Sequence, residues 1–262
     1  MNSLESIEDE YLTKENNIYL TRHEKLAEEF LKKYKEYHIT DLKEAGLPKE
    51  YIEAFIENFF YRKIRNIVSA TIKCLKKETD TDAAANFLVG LTSLKDAELL
   101  KELVGIATEF DDEKSRGKIY QKFGNAFHLR GVDWWDEAEK YYEEAKRIYR
   151  KLKEQDPAYL PNYAMTLNNL GVLYRNRGEF DKAEKCYEEA KRIYEKLPED
   201  TLSAYRSAYA ETLQNLGKLY LNTNPARAKE CLGRALEIYE EFASKSKLYA
   251  EKAKEVKEML KK

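Results

Sequence analysis

Apolar residues along this chain recur at steps of three and four, the period of a helix with one side turned inward. Leu26, Ala27, Phe30, Leu31 and Tyr34 make one such stripe behind Thr21-Arg-His-Glu24, which has the form of a capping box. Gly46-Leu-Pro48 then breaks the chain and starts another helix, since Pro is tolerated in a first turn. That helix carries Ile52, Phe55, Ile56, Phe59, Phe60, Ile64, Ile67 and Val68. The set covers more than half of the helix girth, which predicts enclosure on several sides. Thr79 to Asp82 marks a turn before a short helix reaching about Leu91, and Ser93 is placed to cap a further helix to Phe110.

The second half repeats itself. Tyr142 to Tyr149 recurs letter for letter as Tyr187 to Tyr194 and returns in weaker form as Leu232 to Tyr239, so that Ala145, Ala190 and Ala235 stand 45 apart. A fixed period of that size marks a stacked array. Each unit pairs a helix A with a helix B, aligned as Gly124, Gly171 and Gly217 in A, and as Ala138, Ala183 and Ala228 in B. Small residues there let two helix backbones approach, while Tyr142, Tyr187 or Leu232 fills the space beside them. Gln155 to Pro161 and Leu197 to Asp200 separate one unit from the next.

Two units depart from this plan. In the first, Gly124 to Ala138 is 14 residues where Gly171 to Ala183 is 12, so Arg130 to Asp136 lengthens the A-to-B turn. In the third, Asn224-Pro225 replaces a glycine turn, with Asn as cap and Pro at the first helical position. Trp135 takes the place of Phe180 and is expected in the core; Trp134 has no counterpart and either stands out as an exposed anchor or packs on the enlarged turn.

The middle unit, Leu167-Asn-Asn-Leu-Gly-Val-Leu-Tyr174 followed by Gly178-Glu-Phe-Asp-Lys-Ala183, Tyr187 and Ala190, resembles the tetratricopeptide-repeat family. Its long period is similar to the extended repeats of kinesin light chain type arrays, over about Lys118 to Phe242. The resemblance implies an all-α chain, a solenoid of stacked antiparallel helix pairs. The expected division is a helical cap or separate helical domain over 1–116, repeats over 117–155, 156–199 and 200–243, and a C-terminal capping helix over 244–262.

On helix A of the middle unit, the side opposite Leu167, Leu170, Gly171 and Tyr174 carries Met165, Asn168, Asn169, Val172, Arg175 and Asn176. The matching positions are Lys118, Gln121, Lys122, Asn125, His128 and Leu129 in the first unit and Glu211, Gln214, Asn215, Lys218, Leu221 and Asn222 in the third. In the family these faces line a concave groove, and the candidate peptide-binding residues on them are Lys118, Gln121, Lys122, Asn125, Asn168, Asn169, Val172, Arg175, Gln214, Asn215 and Lys218. Carboxamides both donate and accept, which suits them to the main chain of an extended peptide. Lys118, Lys122, Arg175 and Lys218 against Glu211 leave three positive charges over, favouring an acidic segment or a C-terminal carboxylate. Asn125 and Asn169 match the chaperone-tail clamp of some family members, but Gln121, Glu211 and Asn215 depart from it.

Composition narrows the function further. Charged residues make 36% of the chain yet net charge is only −2, so no overall basic field draws it to nucleic acid or anionic lipid. The charge runs read as solvated helix faces, with Glu143 and Arg147, and Glu188 and Arg192, four apart. No phosphate loop, nucleophile elbow or metal-ligand spacing occurs among the three His and three Cys. Neither a leader pattern nor a long apolar run is seen. The expectation is a cytoplasmic, non-catalytic scaffold without cofactor or metal that binds a protein or peptide partner. The alternatives are a self-associating structural protein, and a sensor autoinhibited by its N-terminal helices.

Overall fold

The computed structural model describes residues 61–261 except 79, 80 and 245. The Thr21 capping box, the Gly46-Leu-Pro48 break and the apolar residues before Tyr61 lie outside the described residues. Within them the fold is all-α: α1 (Tyr61–Glu78), α2 (Thr81–Gly90), α3 (Ala97–Val104), α4 (Glu113–His128), α5 (Trp135–Gln155), α6 (Leu160–Asn176), α7 (Phe180–Glu195), α8 (Glu199–Tyr220), α9 (Pro225–Ala243) and α10 (Lys247–Leu260). The chain divides into two compact units between Glu109 and Phe110.

In the first unit, Ile72, Leu88, Leu99, Leu100, Leu103 and Ile106 are fully or almost fully buried. Ile67 on α1 is 49% exposed while Val68 is buried, so among the described residues the enclosure expected around that helix is incomplete. The cap of α3 is Asp96, which accepts from the Leu99 amide at 3.0 Å, and not Ser93. Ser93 lies in a short 3₁₀ turn, Leu91–Ser93, and its hydroxyl donates to the Gly90 carbonyl instead. Asp96 also accepts from the Tyr61 hydroxyl at 2.9 Å, which joins α1 to the start of α3.

The second unit is the repeat array. Helices α4 and α5, α6 and α7, and α8 and α9 form three antiparallel hairpins, and α10 packs on α9 through Ala253 and Val256. The glycines explain how closely each pair can sit. A Cβ placed at Gly124, Gly171 or Gly217 would stand 2.6, 2.5 or 2.6 Å from Tyr142, Tyr187 or Leu232 of the paired helix. Between the hairpins' glycines and alanines, Tyr142, Tyr149, Tyr187, Tyr194 and Tyr239 are fully or almost fully buried. Burying an aromatic side chain of this size contributes about 1.5–3 kcal/mol.

Local chemistry sets the helix ends. Asp112 caps α4 by accepting from the Ser115 amide at 2.6 Å, and Asn224 caps α9 by accepting from the Arg227 amide at 3.2 Å, with Pro225 at the first position. Gly178 ends the α6 turn at φ +78°, a left-handed conformation that glycine adopts without strain.

Two carboxylates pair differently from the i,i+4 expectation. Glu143 meets Lys146 at 3.0 Å and Arg147 meets Glu144 at 2.8 Å, both at three-residue spacing, while Glu188 meets Arg227 of the next helix B at 2.6 Å. The following repeat also meets these B helices: the hydroxyls of Tyr174 and Tyr220 donate to Glu139 at 2.9 Å and to Glu184 at 2.6 Å, with Glu143 and Glu188 next to them at 3.4 and 3.1 Å.

Candidate interaction surface

The A helices α4, α6 and α8 lie next to one another and are stitched by side chains. Gln121 Nε2 donates to Thr166 Oγ1 at 2.8 Å, Asn169 Nδ2 to Asn125 Oδ1 at 2.9 Å, and Asn215 Nδ2 to Asn168 Oδ1 at 3.1 Å. Helix B of one repeat packs instead against helix A of the next. The side on which the A helices meet is the one expected to be concave, the inner face.

Not every expected groove residue reaches that face. Gln121 and Gln214 are buried, at 5% and 6% exposure, and are corrected to seam residues. Both sit where helix A faces a neighbouring helix, so their amides serve the interior: Gln121 bonds Thr166, and Gln214 accepts from the Tyr239 hydroxyl at 3.0 Å. Trp134 is corrected likewise, since it is half-buried and stacks on Phe127 at 5.6 Å between centroids. Trp135 is only half-buried, at the edge of the His128 ring, and its counterpart Phe180 is 57% exposed, so neither is core.

Asn125, Asn168, Asn169, Val172, Arg175, Asn215, Lys118 and Lys218 are half-buried and Lys122 is exposed. Arg175 donates to Asn215 Oδ1 at 3.3 Å and to Asn176 Oδ1 at 3.4 Å. Lys218 is held by Glu255 of α10 at 2.9 Å, and Glu211 by Lys252 of the same helix. Helix α10 therefore sits where the A helix of a further repeat would, and neutralises the third repeat's share of the charge. Sequence reasoning gave α10 a covering role only; its charge alternation carries no sign of which carboxylate meets which lysine.

At the end of α4, His128 Nε2 lies 3.0 Å from Asn176 Nδ2 and Nδ1 lies 3.5 Å from the Tyr142 hydroxyl. Burial, with Arg175 and Arg177 nearby, holds its imidazole below the ordinary range. Tyr142 also donates to Asn125 Oδ1 at 2.8 Å. Its counterpart Tyr187 has no such acceptor, because Val172 occupies the position of Asn125, and the Tyr187 hydroxyl is buried without a partner among the described residues. Thr166 and Thr212, both fully buried, were missed in the sequence although they stand 46 apart at one repeat position. Each bonds a carbonyl four residues back on its own helix, at 2.8 and 3.0 Å.

Cys186 and Cys231 are buried free thiols at equivalent positions, and burial pushes the Cys186 thiol up to about 11, which makes it a poor nucleophile. Among the described residues no group of His, Cys, Asp or Glu is arranged to hold a metal, and no helix is long and apolar enough to cross a membrane.

The tetratricopeptide-repeat profile matches the chain over two overlapping stretches, residues 118–196 and 162–241. Residues 118–241 belong to the tetratricopeptide-repeat family. Such repeats generally mediate protein–protein interaction, and the family is one of scaffolds rather than catalysts. The crystal structure of BtubC (BKLC) from P. vanneervenii has a similar fold, with a TM-score of 0.53 and 21% identity over 87% of this chain and 93% of that one. No curated protein matches the sequence. In repeat terms, the tyrosines above pack one helix pair, and the amide stitches join one pair to the next.

Proposed function

We propose that the inner face of the A helices binds an extended peptide segment of a partner protein, and that the chain is a non-catalytic adaptor. The observation that carries this reading is the unspent bonding capacity along the amide row. Asn125 and Asn168 use only their side-chain oxygens, and Asn169 only its Nδ2, so that two NH₂ groups and one carbonyl have no partner among the described residues. Donors and acceptors alternating on half-buried side chains suit a peptide main chain. Lys122 and Arg175 form no ion pair among the described residues, which favours an acidic or C-terminal segment. Free Cys186 and Cys231 fit a reducing, cytoplasmic setting.

Lys122→Glu is the cleanest variant, because Lys122 is exposed and bonds nothing that holds the fold. Fluorescence polarisation against labelled peptides of graded charge should show acidic peptides bound best, binding that weakens with salt, and a loss in the variant. Equal binding to wild type and variant, without charge preference, would remove the inner face from the account.

A further inference from the structure

We propose that the edge formed by the A-to-B turns is a second docking surface, for a basic amphipathic helix of a partner protein. Three of the four most exposed large apolar side chains described in residues 110–262 crowd onto this edge: Leu129 at 87%, Val132 at 66% and Phe180 at 57% exposure. A monomer leaves single apolar residues in solvent at little cost, but several gathered on one edge mark a contact surface.

The turns adjoin one another. Arg177 of the second turn donates to Asp136 of the first at 2.6 Å, and Asn176 meets His128, the residue before Leu129, at 3.0 Å. Phe180 is the wall between two clefts. One, about 380 Å³, runs from Phe180 and Asp181 to Leu219, Tyr220 and Thr223 beside the third turn. The other, about 360 Å³, is lined by Gly178 to Lys182.

Charge decides the occupant. The edge's Arg177 is spent on Asp136, Glu139 and Glu179, and Lys182 on Glu179 at 2.5 Å. Arg130 folds back onto the Ala126 carbonyl. Asp133 and Asp181, by contrast, have no partner among the described residues, so the charge left unmatched beside the apolar side chains is negative. Arg175 and Lys218 lie on the larger cleft's wall; Lys218 is neutralised by Glu255, and the one charge that Arg175 keeps is outnumbered by Asp133 and Asp181. A partner offering apolar residues flanked by Lys or Arg complements this edge.

Spacing favours a helix. Leu129 and Val132 stand three residues apart in the first turn, and Phe180 follows the second turn, which Arg177 and Asn176 join to the first. A helix with apolar residues at i, i+3 and i+7 offers one continuous apolar face to the two adjoining turns.

The test uses the full chain and a fluorescein-labelled helix-forming peptide of Leu and Lys with leucines at that spacing. A scrambled peptide of the same composition and a Leu/Glu counterpart serve as controls. Binding is followed by polarisation at low and moderate salt. The ordered Leu/Lys peptide should bind best, and the triple variant Leu129→Ser, Val132→Ser, Phe180→Ser should weaken it by roughly tenfold or more. Asp133→Lys with Asp181→Lys should weaken it as well, while Lys122→Glu on the inner face leaves it unchanged. All altered side chains are exposed, and unchanged thermal melts verify that the fold is kept. Equal binding of ordered and scrambled peptides, or no loss in the triple variant, overturns the proposal. So does a wild-type dimer in sedimentation that the triple variant abolishes, which would assign the edge to a second copy of the chain.

Discussion

Asn169 donates its side-chain amide to Asn125 at 2.9 Å, and the same Asn125 oxygen takes the hydroxyl of Tyr142 at 2.8 Å. One acceptor thus links the surface of the second repeat to the interior of the first. The amide row on the inner face is also a seam, so changes made to test binding there act on stability too.

The tyrosine pair separates these effects. Tyr142→Phe removes a bond to Asn125 and should cost about 1 kcal/mol. Tyr187→Phe removes a buried hydroxyl that bonds nothing and should be neutral or stabilising by up to about 1 kcal/mol. Urea denaturation followed by circular dichroism ranks the two variants; equal losses would contradict the assigned bonding.

Glycine substitutions should differ in sign. A Cβ at Gly171 would stand 2.5 Å from the Tyr187 ring, so Gly171→Ala should destabilise by about 1–3 kcal/mol. Gly233, inside α9, has nothing within 4 Å of such a Cβ, and Gly233→Ala should stabilise by about 0.5–1 kcal/mol. Thermal midpoints of the two proteins should move in opposite directions.

The array should respond to mild acid through His128. Its folded imidazole is held below the ordinary 6.5 by burial first and by Arg175 and Arg177 second, so the unfolded chain takes up the proton more readily. Stability from this group is complete above that ordinary value and declines as pH falls toward the lowered one. Comparing wild type with His128→Asn, the melting midpoint of wild type should fall more between neutral pH and the acid side of 6.5.

The fold was legible because repetition exposes it. The 45-residue step of Ala145, Ala190 and Ala235 and the Gly–Tyr pairs dictate hairpin packing without reference to anything distant. The inner face was legible only as far as helical period goes. That period places Gln121 and Asn125 one turn apart on the same side, yet burial takes Gln121 into the seam and leaves Asn125 at its mouth. A rotation smaller than one residue's 100° decides between them, and it is set by how closely α4 and α6 approach. Lys218 looks like a groove cation in the sequence because its partner, Glu255, lies 37 residues further along the chain. Likewise Trp134 packs on Phe127 because the enlarged turn folds back, which spacing alone does not reveal.

Hydrogen exchange by mass spectrometry, on the full chain with the tightest-binding acidic peptide, tests the central claim most directly. Protection should gather on the inner face of α4, α6 and α8, around Lys122 to Asn125, Asn168 to Arg175 and Asn215. Protection confined to α5, α7 and α9, or none in a peptide that binds, would contradict the account.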